Sequence, residues 1–121
     1  MISGSRRRTF KPAIESLGLT CERADDIYGT QGLMQGIWER INQSRVIVAE
    51  MTGRNPNVLY ELGIAHTLGK PVVMVTQSID YVPSDLRHLR CIIYDYKPHS
   101  IGPFRDAFVR TLSTAVDSSR G

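Results

Sequence analysis

Two short apolar runs on either side of one well-delimited helical segment constrain the fold of this chain more than any other feature. The runs are residues 46–49 and 72–75, and both are uninterrupted, as in strands buried on both faces of a parallel sheet. Between them, Pro56 suits the first position of a helix and Gly69 its end. This strand–helix–strand unit predicts a parallel sheet with a right-handed crossover.

The rest of the chain alternates in the same way between helical and extended patterns. The other predicted elements are a helix over residues 10–17, a weak strand over 19–24, a helix over 33–42, a strand over 91–94 and a final helix opening at Pro103. Trp38 falls on the apolar stripe of its helix, which predicts a core position. The order predicts an α/β fold with three layers and an open parallel sheet of about four to five strands, flavodoxin-like or Rossmann-like.

The length and composition are those of a single globular domain. The chain has 121 residues, of which 41% are hydrophobic and 22% charged. We expect one domain over residues 9–117, with flexible ends at residues 1–8 and 118–121.

The charge and cysteine content narrow the classes of partner. The net charge of +3 is a mild bias that comes mostly from residues 6–8, and a basic tip is more often a solvated terminus than a phosphate-binding arm. We therefore do not expect nucleic acid as a partner. Cys21 and Cys91 lie in apolar stretches without a zinc-like spacing, so buried thiols are expected and a metal site is not. Without a signal-peptide pattern or a long apolar run, we expect a cytoplasmic chain with no membrane partner.

The segment that follows the first apolar run is the best candidate for a binding site. Ligands of open parallel sheets sit beyond the carboxyl ends of the strands, and residues 50–57 leave one such end and enter a helix. A helix start offers free N–H groups to an anion, and Gly53 lets the backbone approach a ligand closely. An ordinary strand-to-helix turn with Asn55 as N-cap explains the same residues, so both interpretations stay open.

Glu61 is the more informative residue of this region. On a helical wheel it falls on the flank of the apolar face marked by Val58, Leu62 and Ala65. A carboxylate there is costly unless something pairs with it. A functional acid and a Glu bonded to a neighbouring strand or Arg are equally consistent with the pattern.

One long segment resembles a known enzyme family. Residues 37–41, 44–58, 60–66 and 69–71 resemble the nucleoside 2-deoxyribosyltransferase-like family, which is related in fold to TIR domains, and the string N-P-N-V-x-Y-E-L-G-x-A-H at 55–66 is the most specific part. Pro83, residues 85–88 and Arg90 also match a common branch of the family.

The resemblance implies chemistry at an N-glycosidic bond. In the family, the Glu of the E-L-G motif attacks the anomeric carbon of the sugar, and Glu61 occupies that position. The ligand would be a nucleoside, a nucleotide or an NAD-like molecule, with no cofactor, and a homo-oligomer is left open. The residues expected to bind substrate are Glu50, Thr52, Gly53, Asn55 and Asn57.

The chain departs from the family pattern at two places. Glu50 stands where the family usually has Asp. The usual apolar first strand is also missing from the pattern, since no strand of normal length fits before the first helix. Loss of a central strand would leave unpaired backbone groups on its neighbours. A catalytically inactive, TIR-like nucleotide-binding or interaction module is therefore the alternative function.

Overall fold

A computed structural model describes residues 1–3, 7–22 and 33–118 of the chain. In chain order, its elements are β1 (Ile2–Ser3), α1 (Arg7–Glu15), α2 (Leu33–Gln43), β2 (Ile47–Glu50), α3 (Pro56–Thr67), β3 (Val72–Thr76), β4 (Cys91–Ile93) and α4 (Pro98–Ser118). Two short 3₁₀ turns, Ile79–Tyr81 and Ser84–Leu86, connect β3 to β4.

The strands form one open sheet in which every neighbouring pair is parallel. Their order is β1-β2-β3-β4, with Val48 opposite Val73 and Met74 opposite Cys91. The α/β class and the open parallel sheet are thereby confirmed. The flavodoxin-like or Rossmann-like layout with four to five strands stays a prediction, because β1 spans only two residues and the predicted strand over 19–24 runs into residues outside the described ranges.

The first residues of the chain belong to the sheet. The N–H of Val48 donates to the carbonyl of Met1 at 2.9 Å, and the N–H of Ile2 donates to the carbonyl of Glu22 at 2.8 Å. The side chain of Ile2 is 0% exposed. Met1–Ser3 therefore pair with β2 in the structure, through a strand of only two residues where no strand of normal length was expected. Two residues are enough because the backbone of β2 needs a partner on that side and Ile2 supplies a core side chain.

Helices cover both faces of the sheet, because successive side chains of each strand point to opposite sides. Val48 and Val75 face α1 and α4, in a cluster that includes Phe10 and Phe108. Ile47 and the other alternate residues face α2 and α3. The carboxyl end of β2 therefore lies between two separate apolar layers.

Three expectations about the helices need correction. The side chain of Trp38 is 48% exposed, because Ile37 and Ile41 form the buried stripe of α2 and the next residue turns about 100° away. The last helix starts at Pro98, where proline suits the first helical position, and Pro103 lies inside it. The first helix starts at Arg7 instead of residue 10.

In the described part of the chain, no helix combines the length and apolarity needed to cross a lipid bilayer.

Candidate functional site

The loop between β2 and α3 is a tight turn with two residues in the left-handed region. Gly53 has φ 84°, and Arg54 has φ 53° although it carries a side chain. The N–H of Arg54 donates to the carbonyl of Met51 at 3.0 Å. Its guanidinium donates to the carbonyl of Asp80, which ties the loop to the turn after β3. The backbone conformation of the loop is thus held by contacts at both ends.

The start of α3 has the cap that the sequence predicts. The Oδ1 atom of Asn55 accepts a hydrogen bond from the N–H of Asn57 at 2.9 Å, and Pro56 follows in the first helical position. Asn55 and Asn57 are both exposed. The cap engages Oδ1 of Asn55 and leaves its Nδ2 amide, a hydrogen-bond donor, to contact a ligand.

A buried polar cluster lies at the carboxyl end of β2. Glu50 is 2% exposed, and its Oε1 atom accepts a hydrogen bond from the Tyr94 hydroxyl at 2.9 Å and another from the Thr52 hydroxyl. The Thr52 oxygen in turn accepts from the N–H of Gln77 at 3.0 Å. The cluster therefore joins the ends of β2, β3 and β4 through side chains and one backbone group.

Tyr94 is held on its ring as well as at its hydroxyl. The ring makes an edge contact with Phe10 at 5.4 Å between centroids and a tilted contact with Phe104 at 5.2 Å. Burial raises the pKa of Tyr94, and its hydrogen bond to Glu50 raises it further. The hydroxyl is therefore kept protonated and serves as a donor to Glu50.

Glu61 is buried in the other layer. Its side chain is 1% exposed and lies on the face of α3 that also carries Val58, Leu62 and Ala65. That face packs in the cluster containing Ile47, whereas Glu50 bonds to Tyr94 in the cluster containing Val48. Glu50 and Glu61 therefore belong to the two layers on opposite sides of the sheet.

The predicted site residues fall into three groups. Glu50 and Thr52 are hydrogen-bonded to each other, Gly53, Asn55 and Asn57 are exposed in the turn and at the start of α3, and Glu61 is deeper than the flank position predicted. The sequence analysis did not identify Tyr94 as a polar residue at the carboxyl end of the sheet. The sequence contained a signal for it, because Tyr94 is the last residue of the predicted strand 91–94 and carries a hydroxyl.

In the described part of the chain, a cavity of about 350 Å³ lies at the amino end of β2, away from the candidate site. Leu19, Arg40 and Arg45 are among its lining residues. Within residues 1–3, 7–22 and 33–118, no three His, Cys, Asp or Glu side chains come together as a metal site.

Comparison of the chain with models of known protein families and with curated proteins gave no match.

Proposed function

We propose that this protein cleaves the N-glycosidic bond of a nucleoside, a nucleotide or an NAD-like molecule, or transfers its deoxyribosyl group, through Glu61. The observation that carries the proposal is the burial of this carboxylate, 1% exposed, in the second turn of a helix entered from the carboxyl end of a buried strand. Parallel sheets bind ligands at the carboxyl ends of their strands, and a helix that starts there is rigid. Such a helix can hold the Glu61 carboxylate at a fixed position relative to the anomeric carbon.

The chemistry follows from the charge of the sugar in the transition state. As the bond to the base breaks, its electron pair leaves with the base and the anomeric carbon becomes cationic, like an oxocarbenium ion. A carboxylate beside that carbon stabilises the charge, or attacks it to form a glycosyl–enzyme ester. Water then gives hydrolysis, and a second base gives transfer. The departing base takes up a proton from water, so that the free base is released in its neutral form.

The neighbouring groups support binding of the rest of the ligand. The left-handed turn at Gly53 exposes backbone next to the start of α3, where the helix dipole favours a phosphate or another anion. The N–H groups of Asn57, Val58 and Leu59 already donate to Asn55, so the anion would interact with the dipole and not with these three groups. Glu50 and Thr52 place hydrogen-bond acceptors at the end of β2, where Glu50 is buried. We propose that Asn55 and Asn57 contact the sugar or phosphate from the exposed start of the helix.

The test is release of free base from the purified chain. Glu61→Gln keeps the size of the side chain and removes the charge, so we expect base release to fall on the order of 10²-fold or more. Glu15→Gln is the matched control, because Glu15 is exposed on α1. Equal turnover in the two variants, with both folded by circular dichroism, would refute the role of Glu61.

A second candidate function is a nucleotide-binding or TIR-like interaction module without turnover. It is favoured by the position of Glu50 and Glu61 in opposite layers. Retaining glycosidases use two carboxyl groups about 5–5.5 Å apart, one as nucleophile and one as acid. Glu50 is already engaged by Tyr94 and Thr52. Saturable nucleotide or NAD binding without any base release would favour this module over the enzyme.

A further inference from the structure

The buried carboxylate of Glu50 has its two oxygens in different situations. Oε1 accepts from both Tyr94 and Thr52, whereas no residue in the described part of the chain donates to Oε2. The side chain is only 2% exposed. A buried acceptor without a donor destabilises the folded state, and more so when it is charged, so native proteins rarely leave one unused.

The two donors to Oε1 are themselves fixed. The ring of Tyr94 packs against those of Phe10 and Phe104, and the hydroxyl oxygen of Thr52 accepts a hydrogen bond from the N–H of Gln77 at 3.0 Å. With one oxygen held by two immobile donors, the carboxylate has little freedom to rotate. The position of Oε2 is therefore set before any ligand arrives, which lowers the entropic cost of binding.

We propose that Tyr94 is a positioning residue, which together with Thr52 holds Oε1 of Glu50 so that Oε2 accepts a hydrogen bond from a hydroxyl or amino group of a bound nucleoside. The ligand class rests on the proposed function. An ionised carboxylate only accepts hydrogen bonds and repels phosphate. This end of the site therefore takes the neutral, donor-bearing part of the ligand, and any phosphate lies elsewhere.

The experiment measures affinity, not turnover. Adenosine is titrated calorimetrically into the wild type, Tyr94→Phe, Glu50→Gln and the double variant, with folding checked by circular dichroism. Tyr94→Phe keeps the ring packing and removes the hydroxyl, so we expect the Kd to rise about 5- to 10-fold, the effect of one hydrogen bond. Tyr81→Phe is the matched control, because Tyr81 is half-buried in a 3₁₀ turn outside the cluster.

The double variant separates positioning from a merely structural role. If Tyr94 acts through Glu50, its substitution changes the Kd less than about 2-fold once Glu50→Gln is present, because the two effects are coupled. Additive effects, or no effect of Tyr94→Phe, would overturn the proposal. Failure of the wild type to bind adenosine saturably would overturn it as well.

Two analogues identify which donor of the nucleoside meets Oε2. If it is the sugar hydroxyl, the preference for adenosine over 2′-deoxyadenosine disappears in Glu50→Gln. If it is the base amino group, the preference for adenosine over purine riboside disappears instead. Retention of both preferences would contradict the assignment. Base release is assayed separately, so coupled binding without release leaves the positioning role intact and refutes only the enzymatic function.

Discussion

Replacing Ile2 by Ala tests whether the short first strand is part of the folded core. Ile2 is 0% exposed and lies opposite Val48 in the register of β1 with β2. The substitution removes three carbons. At about 0.8 kcal/mol for each buried methylene, the transfer loss is about 2.4 kcal/mol, and the cavity left behind brings the total to about 3 kcal/mol.

A loss of this size is measurable by urea unfolding followed by circular dichroism. Domains of this size have a slope of about 1.5 kcal/mol per molar urea, so the midpoint should fall by about 2 M. Ile93→Ala is the matched control, because Ile93 also lies in a strand but is 56% exposed. We expect the control to lose less than about 1 kcal/mol. Equal midpoints for Ile2→Ala and the wild type would show that the chain start is a flexible end and that β1 does not stabilise the sheet.

Three further substitutions or conditions probe the candidate site. Asn55→Ala removes the side-chain cap of α3 and should lower the free energy of unfolding by about 1 kcal/mol, whereas Asn57→Ala, which removes no side-chain cap, should change it by less than about 0.5 kcal/mol. Gly53→Ala places a Cβ at φ 84° and should cost about 1–2 kcal/mol by thermal unfolding although open space surrounds the position; an unchanged melting temperature would contradict the left-handed turn. Burial raises the folded-state pKa of Tyr94 above its ordinary value of 10, so the contribution of its neutral hydroxyl to the free energy of unfolding is complete below pH 10 and is lost as the pH rises above that value. Tyr94→Phe should therefore flatten the fall of the unfolding midpoint at alkaline pH. An identical pH profile in the variant and the wild type would show that Tyr94 does not cause this fall.

The central β2–α3–β3 unit could be predicted from the sequence because each of its signals is local. Strands buried on both faces show an uninterrupted apolar run. The predicted run 46–49 is shifted by one residue from Ile47–Glu50, and the run 72–75 is one residue shorter than Val72–Thr76. The cap and the first-turn proline of α3 are likewise encoded within a few residues. Local patterns of this kind need no knowledge of what packs against them.

The parts that sequence reasoning missed depend on contacts between distant segments. A two-residue strand has no periodicity to detect. The strand β1 forms because its backbone is hydrogen-bonded to β2 on one side and to the carbonyl of Glu22 on the other. The hydrogen bond between Glu50 and Tyr94 joins residues 44 positions apart, and only the order of β2, β3 and β4 brings the two strand ends together. Spacing along the chain cannot reveal such a pair.

The two-residue period of β2 decides how Glu50 and Glu61 can act on one ligand. Glu50 bonds to Tyr94 in the layer of α1 and α4, whereas Glu61 lies on α3 in the layer of α2 and α3. We expect a ligand that contacts both carboxylates to pass over the carboxyl edge of β2, where the turn at Gly53 leaves the backbone exposed. In the proposed arrangement, the anomeric carbon of a nucleoside lies toward α3, and one of its hydrogen-bond donors, on the sugar or on the base, lies toward Tyr94.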